Sequence, residues 1–372
     1  MIDLLVVGGG PAGLGAAIHA ALAGMEAVVI EPRAAPVDKA CGEGIMPGGV
    51  CALTALGVDL TGGYPLRGIR YVDGHRHAEA SFRAVSGLGM RRTALHTALS
   101  RRAAELGVEV LTGKVGEVRQ SDDSVTAAGL RARWLIAADG LHSPIRHALG
   151  LDLPVRRPRR YGLRRHYRVR PWTDCVEVHW PGEGTRAGSG PGRGARSGSG
   201  AGYRFRSWYG SGAGSGLGEV YVTPVGAELV GVAVLSSHRR GFDAHLAGFP
   251  RLAPLLDGPP AGPVRGAGPL RQRVARRTAG RVLLVGDAAG YVDALTGEGI
   301  ALALASAGAA VRCLKAGRPR AYEGEWRRAT RRHRLLTAGL LRVGGSAAGA
   351  RLIVPAAARM PSVFGAAVHA LQ

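Results

Sequence analysis

The sequence predicts an α/β fold of two lobes, in which a parallel nucleotide-type sheet is joined to a mostly antiparallel second sheet and followed by C-terminal helices. Three observations carry this. The chain has 372 residues, more than the roughly 250 to 300 that one hydrophobic core usually serves. A strand, a glycine-bearing turn and a helix follow one another at the N-terminus, again near 130–149, and again at 281–300. Between the last two, residues 155–275 read as a series of short strands.

Composition narrows the class. A hydrophobic fraction of 46% with 20% charged residues describes a globular chain, and no run approaches the roughly 18 apolar residues of a membrane span. The N-terminus has no basic region before its apolar stretch, which argues against a signal peptide and for the cytoplasm. Cys41, Cys51, Cys175 and Cys313 form no CxxC pair and have no histidine at metal spacing, so neither a disulfide framework nor a metal site is expected. The net charge of +22 is almost all arginine, scattered along the chain; Lys39, Lys114 and Lys315 are the only lysines. This is the bias of a GC-rich genome, so anionic small molecules, including phosphorylated cofactors, are expected as partners and nucleic acid is not.

IDLLVV at 2–7 is an apolar run of strand length that ends in Gly8, Gly10 and Gly13, with Pro11 and Ala12 opening a helix over LGAAIHAALAGM. This is the G-x-G-x-x-G turn of a Rossmann-like unit in its required context. Gly8 allows the tight turn, Gly10 the approach of a pyrophosphate, and Gly13 close packing of helix on sheet. The helix N-terminus adds free N–H groups toward phosphate. A second strand, EAVVI, ends at Glu31, followed by Arg33; a carboxylate there accepts from a ribose diol, which fits FAD or NAD and disfavours a 2′-phosphate. Beyond residue 90, GMRRTALHTALSRRAAELGVEV reads as helix then strand, RARWLIAADGLHSPIRHALG as a strand ending near Asp139, and RVLLVGDAAGYVDALTGEGI as a strand ending at Gly286 and Asp287.

These pieces resemble the FAD-dependent oxidoreductases of the para-hydroxybenzoate hydroxylase fold. Four motifs match in order: G-x-G-x-x-G at 8–13, Arg92 before L-x-x-x-L, A-D-G-x-x-S-x-x-R at 138–146, and G-D-A-A at 286–289. The resemblance implies a discontinuous FAD-binding domain over 1–66, 90–154 and 276–320, with a substrate domain at 67–89 and 155–275. It implies that Asp139 and Arg146 lie near the pyrophosphate, the motif also serving NAD(P)H, and that Asp287 reaches the ribityl side of the flavin. Thr296, Gly297, Glu298 and Gly299 open a helix whose N–H groups would face the flavin pyrimidine; Thr296 also suits an N-cap.

The loop DKACGEGIMPGGV at 38–50 resembles the C-G-x-G loop of the geranylgeranyl reductase-like branch, as does YVDALTGEG, and brings Cys41 and Gly42 to the flavin. Tryptophans at 134, 172, 180, 208 and 326 never form the W-x-W-x-I-P stretch of flavin halogenases. The RRYGLRRHYRV strand resembles hydroxylases of secondary metabolites. On that resemblance the expected activity is an NAD(P)H-using monooxygenase hydroxylating an aromatic, polyketide or indole-type metabolite. The alternatives are reduction of isoprenoid double bonds and a non-catalytic FAD-binding protein. Cys41, Glu43 and Tyr167 are the catalytic candidates, and the substrate is expected to be a small apolar or aromatic molecule.

In the second lobe, RYGLRRHYRV, CVEVHW, EVYVTPV and ELVGVAVL read as strands, and GIRYVDGHRHAEASF at 68–82 as a hairpin of the same sheet. Alternation puts Arg164, His166 and Arg168 on one face and Arg165, Tyr167 and Val169 on the other. Residues 182–218 hold glycine at 14 of 37 positions, a composition expected to remain disordered as an insertion at a hairpin tip. Residues 321–372 read as amphipathic helices covering the cofactor lobe, with shallow membrane association as the alternative.

Overall fold

The computed structural model describes residues 1–74, 76–155, 159–180, 218–295, 297–344 and 346–370. Thr296 and the 182–218 insertion, Gly218 excepted, lie outside the described residues. The helices are α1 (Pro11–Leu22), α2 (Pro47–Ala55), α3 (Arg92–Glu105), α4 (Pro144–Ala148), α5 (Phe242–Leu246), α6 (Gly299–Lys315), α7 (Tyr322–Gly344), α8 (Ala347–Arg359) and α9 (Pro361–His369).

The parallel sheet orders its strands Val282–Leu284, Leu130–Ala137, Ile2–Val7, Ala27–Glu31 and Glu109–Thr112. Thr278–Ala279 adds an antiparallel edge. Ile2–Val7, Ala27–Glu31 and Val282–Leu284 are largely buried on both faces and so read as continuous runs of Val, Ile and Leu rather than as alternation. Leu4, Leu5, Val6, Val29, Leu135, Ile136, Leu283 and Leu284 are all at most 0% exposed, the centre of the main core. α1 and α3 pack together, and α6 packs on α1. The first strand is the topological switch point: the chain leaves it toward Ala27–Glu31 on one side and returns at Leu130–Ala137 on the other. Ligands of open α/β sheets bind outside the carboxyl ends of strands at such a point.

The second sheet runs Arg265–Ala267, Tyr161–Tyr167, Leu229–Ser236, Glu219–Gly226, Cys175–His179, Gly68–Asp73 and Arg76–Ser81. Its pairs are antiparallel except Cys175–His179 with Gly68–Asp73. The strands flanking the insertion, Cys175–His179 and Glu219–Gly226, are direct neighbours. One face, with Val220, Val222, Val230, Val232 and Val234, is closed by Phe242 of α5 and by Phe249 and Leu252. The other face, with Val176, Val178 and Tyr221, turns toward the parallel sheet and the C-terminal helices. α8 packs on α7 and on the hairpin strands Gly68–Asp73 and Arg76–Ser81, and α9 packs on Arg76–Ser81.

Candidate functional site

Asp287, Asp139 and Gly8 follow the ends of three consecutive strands of the parallel sheet and Glu31 closes the fourth, so segments up to 279 residues apart in sequence meet along one edge. The turns touch directly. Gly8 has φ +106°, and a Cβ there would lie 2.4 Å from the Ala138 carbonyl; a Cβ on Gly13 would lie 1.8 Å from the Gly8 carbonyl. Both are backbone obstacles, so only glycine fits. A Cβ at Gly286 would meet that of Ala12 at 2.7 Å, which puts the late turn against the start of α1, where Pro11 occupies the first helical position.

This edge fits a dinucleotide. Among the described residues, the Arg92 guanidinium, 3.4 Å away, is the only group within 4 Å of a Cβ built on Gly10. Arg92 Nε and Asp139 Oδ1 are buried and have no hydrogen-bond partner among the described residues, and such atoms call for a ligand or water. Burial raises the Asp139 carboxyl above its ordinary range despite the Ser143 hydroxyl and the Ile145 N–H. Glu31 is buried, yet the Arg33 side chain and the Gly9 N–H outweigh burial and hold it below its ordinary range. The Gly9 N–H donates to Glu31 Oε2 at 2.7 Å and Arg33 Nε to Oε1 at 2.7 Å. Arg33, 53% exposed, covers the carboxylate from the solvent side.

Lys39 Nζ lies 3.3 Å from Asp287 Oδ2 and 3.5 Å from a Cβ built on Gly140. This bridge between the loop at 38–46 and two strand ends was missed in the sequence; the signal was a lysine standing in an arginine-rich chain. The same loop is tied to the second sheet. Glu43, at φ +60°, is buried with His166 Nε2 at 2.5 Å from its Oε2, and its Oε1 accepts the Arg92 N–H at 2.9 Å. Arg164 reaches Asp38 at 2.5 Å and His166 Nδ1 at 3.1 Å. A non-glycine residue with positive φ persists only where its surroundings hold it, and here three segments do so. The Glu43 N–H points to Cys41 Sγ at 3.4 Å, and no atom lies within 4 Å of a Cβ built on Gly42, so that side of the loop is open.

Two expectations are corrected. Tyr167 faces the Phe242 core on the outer side of the second sheet, its ring 6.5 Å from that of Phe242. Strand alternation identified its face-mates but not which face turns inward; the inner residues are Arg164 and His166. Arg146 is buried, with its guanidinium donating to the Ala288 and Leu141 carbonyls, to Gln272 and to Asp152. It braces the 139–146 turn against the 286–289 turn from within. Glu298 turns toward α7, with His333 Nδ1 at 4.0 Å from its carboxylate. Burial pushes Glu298 up to about 8 and His333 down to about 4. Gly297 lies against Met46, where a Cβ would meet its methyl at 3.3 Å, and Gly299 opens α6.

Gly297 and Met46 also line a cavity of about 320 Å³. Ile69, Tyr71, Val176, Val178 and Tyr221 form its floor, Leu335, Leu336, Gly339 and Leu340 of α7 and Phe364, Ala367 and Val368 of α9 its roof. Among the described residues, no ionisable side chain other than the two tyrosines lines it, and the Tyr221 hydroxyl donates to the Leu295 carbonyl at 3.0 Å.

A glycine cradle at the carboxyl ends of a parallel sheet, with buried polar atoms left without partners and an apolar cavity nearby, is the arrangement of a dinucleotide-cofactor enzyme. A family model described as an FAD binding domain matches residues 1–177. Menaquinone reductase of Mycolicibacterium smegmatis is 30% identical over 87% of this chain and 79% of its own length. Digeranylgeranylglycerophospholipid reductase 1 of Methanothermobacter thermautotrophicus is 27% identical over 80% and 73%. Rifampicin monooxygenase of Streptomyces venezuelae is 30% identical over only 41% of this chain and 35% of its own length. Among solved structures, p-nitrophenol 4-monooxygenase PnpA from Pseudomonas putida superposes with a TM-score of 0.75 at 17% identity, over 99% of this chain and 98% of that one. The chain belongs to the FAD-dependent oxidoreductases, with the para-hydroxybenzoate hydroxylase-like fold; its relatives include both geranylgeranyl reductase-like proteins and monooxygenases.

Proposed function

We propose that the protein reduces a carbon–carbon double bond in an isoprenoid-type substrate, with FAD at the strand edge and NAD(P)H as the reductant. The observation that carries this is the cavity: it is lined by aliphatic and aromatic groups and, among the described residues, offers no carboxylate, lysine, arginine or histidine to orient a polar ring. Such a space selects by burial and shape. At about 0.8 kcal/mol per buried CH₂, one five-carbon unit contributes about 4 kcal/mol. The sequence similarity to reductases spans four-fifths or more of the chain, whereas that to rifampicin monooxygenase spans 41%; p-nitrophenol 4-monooxygenase shares the fold over the whole chain at only 17% identity. This reading takes up the second of the activities expected from the sequence, reduction of isoprenoid double bonds, ahead of the hydroxylation expected first.

When bound, FAD supplies a two-electron carrier between the pyridine nucleotide and the substrate. Gly8, Gly10, Gly13 and the α1 N-terminus would hold its pyrophosphate, Glu31 its ribose, Asp139, Lys39 and Asp287 the stretch leading to the flavin, and Cys41, Gly42 and Gly297 the ring edge. The Glu43–His166–Arg164 network holds the 38–46 loop in its strained course. Met46, which belongs to both the loop and the cavity, and Gly297 beside it would stand between cofactor and substrate, and the apolar lining would exclude water.

The test is anaerobic incubation of the FAD-loaded protein with NADPH or NADH and prenylated substrates, read by mass spectrometry. A gain of two hydrogens is expected. Dependence on oxygen with a gain of one oxygen atom would instead establish the hydroxylation of an aromatic or polyketide metabolite.

A further inference from the structure

The C-terminal helices carry a surface that the chemistry does not use. From residue 326 to 372 there are eight arginines and not one Asp or Glu. Arg331, Arg332, Arg342, Arg351 and Arg359 are exposed and form no ion pair among the described residues. Beside them stand Leu335, 64% exposed, and Leu352, 61% exposed, together with Val343, Met360 and Val363. Large apolar side chains left in water among unpaired cations, on amphipathic helices, are the composition of an interfacial membrane contact. The cations specify its sign, since anionic headgroups attract such clusters.

The layer suits the surface of a bilayer rather than its interior. No single helix among the described residues is long and apolar enough to span, and the one pair that passes by length and composition, 348–359 with 361–369, is bent by 101°. Ile353, Val354, Phe364 and Val368 of that pair are buried against the protein. Leu335 joins this surface to the interior: it lines the cavity and is largely exposed, so the cavity opens among the apolar side chains.

We propose that the outer side of the α7–α9 layer docks on an anionic phospholipid surface and presents the cavity mouth to the hydrocarbon, so that a lipid-borne chain enters without crossing water. The direction of entry rests on the isoprenoid reading; the docking does not, because it is measured without turnover.

The experiment floats the full-length FAD-loaded protein with vesicles of phosphatidylglycerol and phosphatidylcholine, and with phosphatidylcholine alone. The wild type is expected to float with the anionic vesicles at least tenfold better. Leu352→Asp/Val363→Asp, neither residue lining the cavity, should lower flotation at least tenfold with unchanged flavin spectrum and melting temperature. Arg351→Glu/Arg359→Glu should abolish the preference for anionic lipid. A wild type that stays with neither vesicle, or doublets that float as it does, overturns the proposal. So does a dimer that Leu352→Asp/Val363→Asp turns into monomer without any vesicle binding, which would assign the face to a second copy of the chain. Reduction of a short, water-soluble prenyl substrate by a protein that does not float would leave the enzymatic reading standing and the docking refuted.

Discussion

The two sheets offer a ligand different things. The parallel sheet offers backbone: turns at the ends of adjacent strands, N–H groups at a helix start, glycines where a Cβ would strike a carbonyl at 2.4 or 1.8 Å. The second sheet offers side chains, Ile69, Tyr71, Val176, Val178 and Tyr221, roofed by helices more than 100 residues later in the chain. A backbone site tolerates almost no change at its glycines, whereas a side-chain cavity is tunable. Substitutions should therefore separate cofactor retention from substrate handling.

The largest effect is expected at Gly13. Gly13→Ala drives a methyl into the Gly8 carbonyl, which can move only with the strand, so a loss of about 4 kcal/mol or more is expected. The purified variant should be colourless and should melt well below the wild type; a yellow protein of normal stability would break the contrast. Glu31→Ala removes a charged acceptor, typically worth about 1.5–3 kcal/mol. FAD should bind about ten- to a hundredfold more weakly in a fluorescence titration, and unchanged binding would remove Glu31 from the site.

On the other side of the comparison, Leu336→Trp narrows the cavity from α7. It is expected to raise KM for a prenyl substrate about tenfold while the FAD Kd stays within about twofold; parallel loss of both would mean that the sites are not separable. The smallest effect concerns Glu298. Burial holds its folded pKa near 8, against 4.5 for the free side chain. The unfolded chain therefore releases a proton above pH 4.5 that the folded protein keeps, and stability falls as pH rises from there toward 8. Glu298→Gln should raise the melting temperature by about 2 °C or more at pH 8 and leave it unchanged at pH 4. An equal shift at both pH values would contradict that assignment.

The backbone half was largely legible. Spacing alone located the glycine turn, Glu31 and the strand ends at Asp139 and Asp287, because a phosphate-binding turn constrains which residues can stand at each position. Strands of the second sheet were legible too, down to the pairing across the insertion. What alternation could not supply was the inward face, so Tyr167 was favoured where Arg164 and His166 point to Glu43. Nor could local spacing show that Arg146 turns inward to carbonyls, that Lys39 meets Asp287 across 248 residues, or that α7 and α9 roof a cavity. Those follow from tertiary packing, which leaves no local periodicity.

The account stands on one FAD held along the edge where residues 8, 31, 139 and 287 meet. Its most direct test is titration of FAD into the cofactor-stripped protein and into Glu31→Ala, Asp139→Ala and Asp287→Ala. One FAD per chain is expected, with each variant at least about tenfold weaker and still folded. A wild type that takes up no FAD, or an Asp287→Ala protein that binds it as tightly as the wild type, would contradict the convergence.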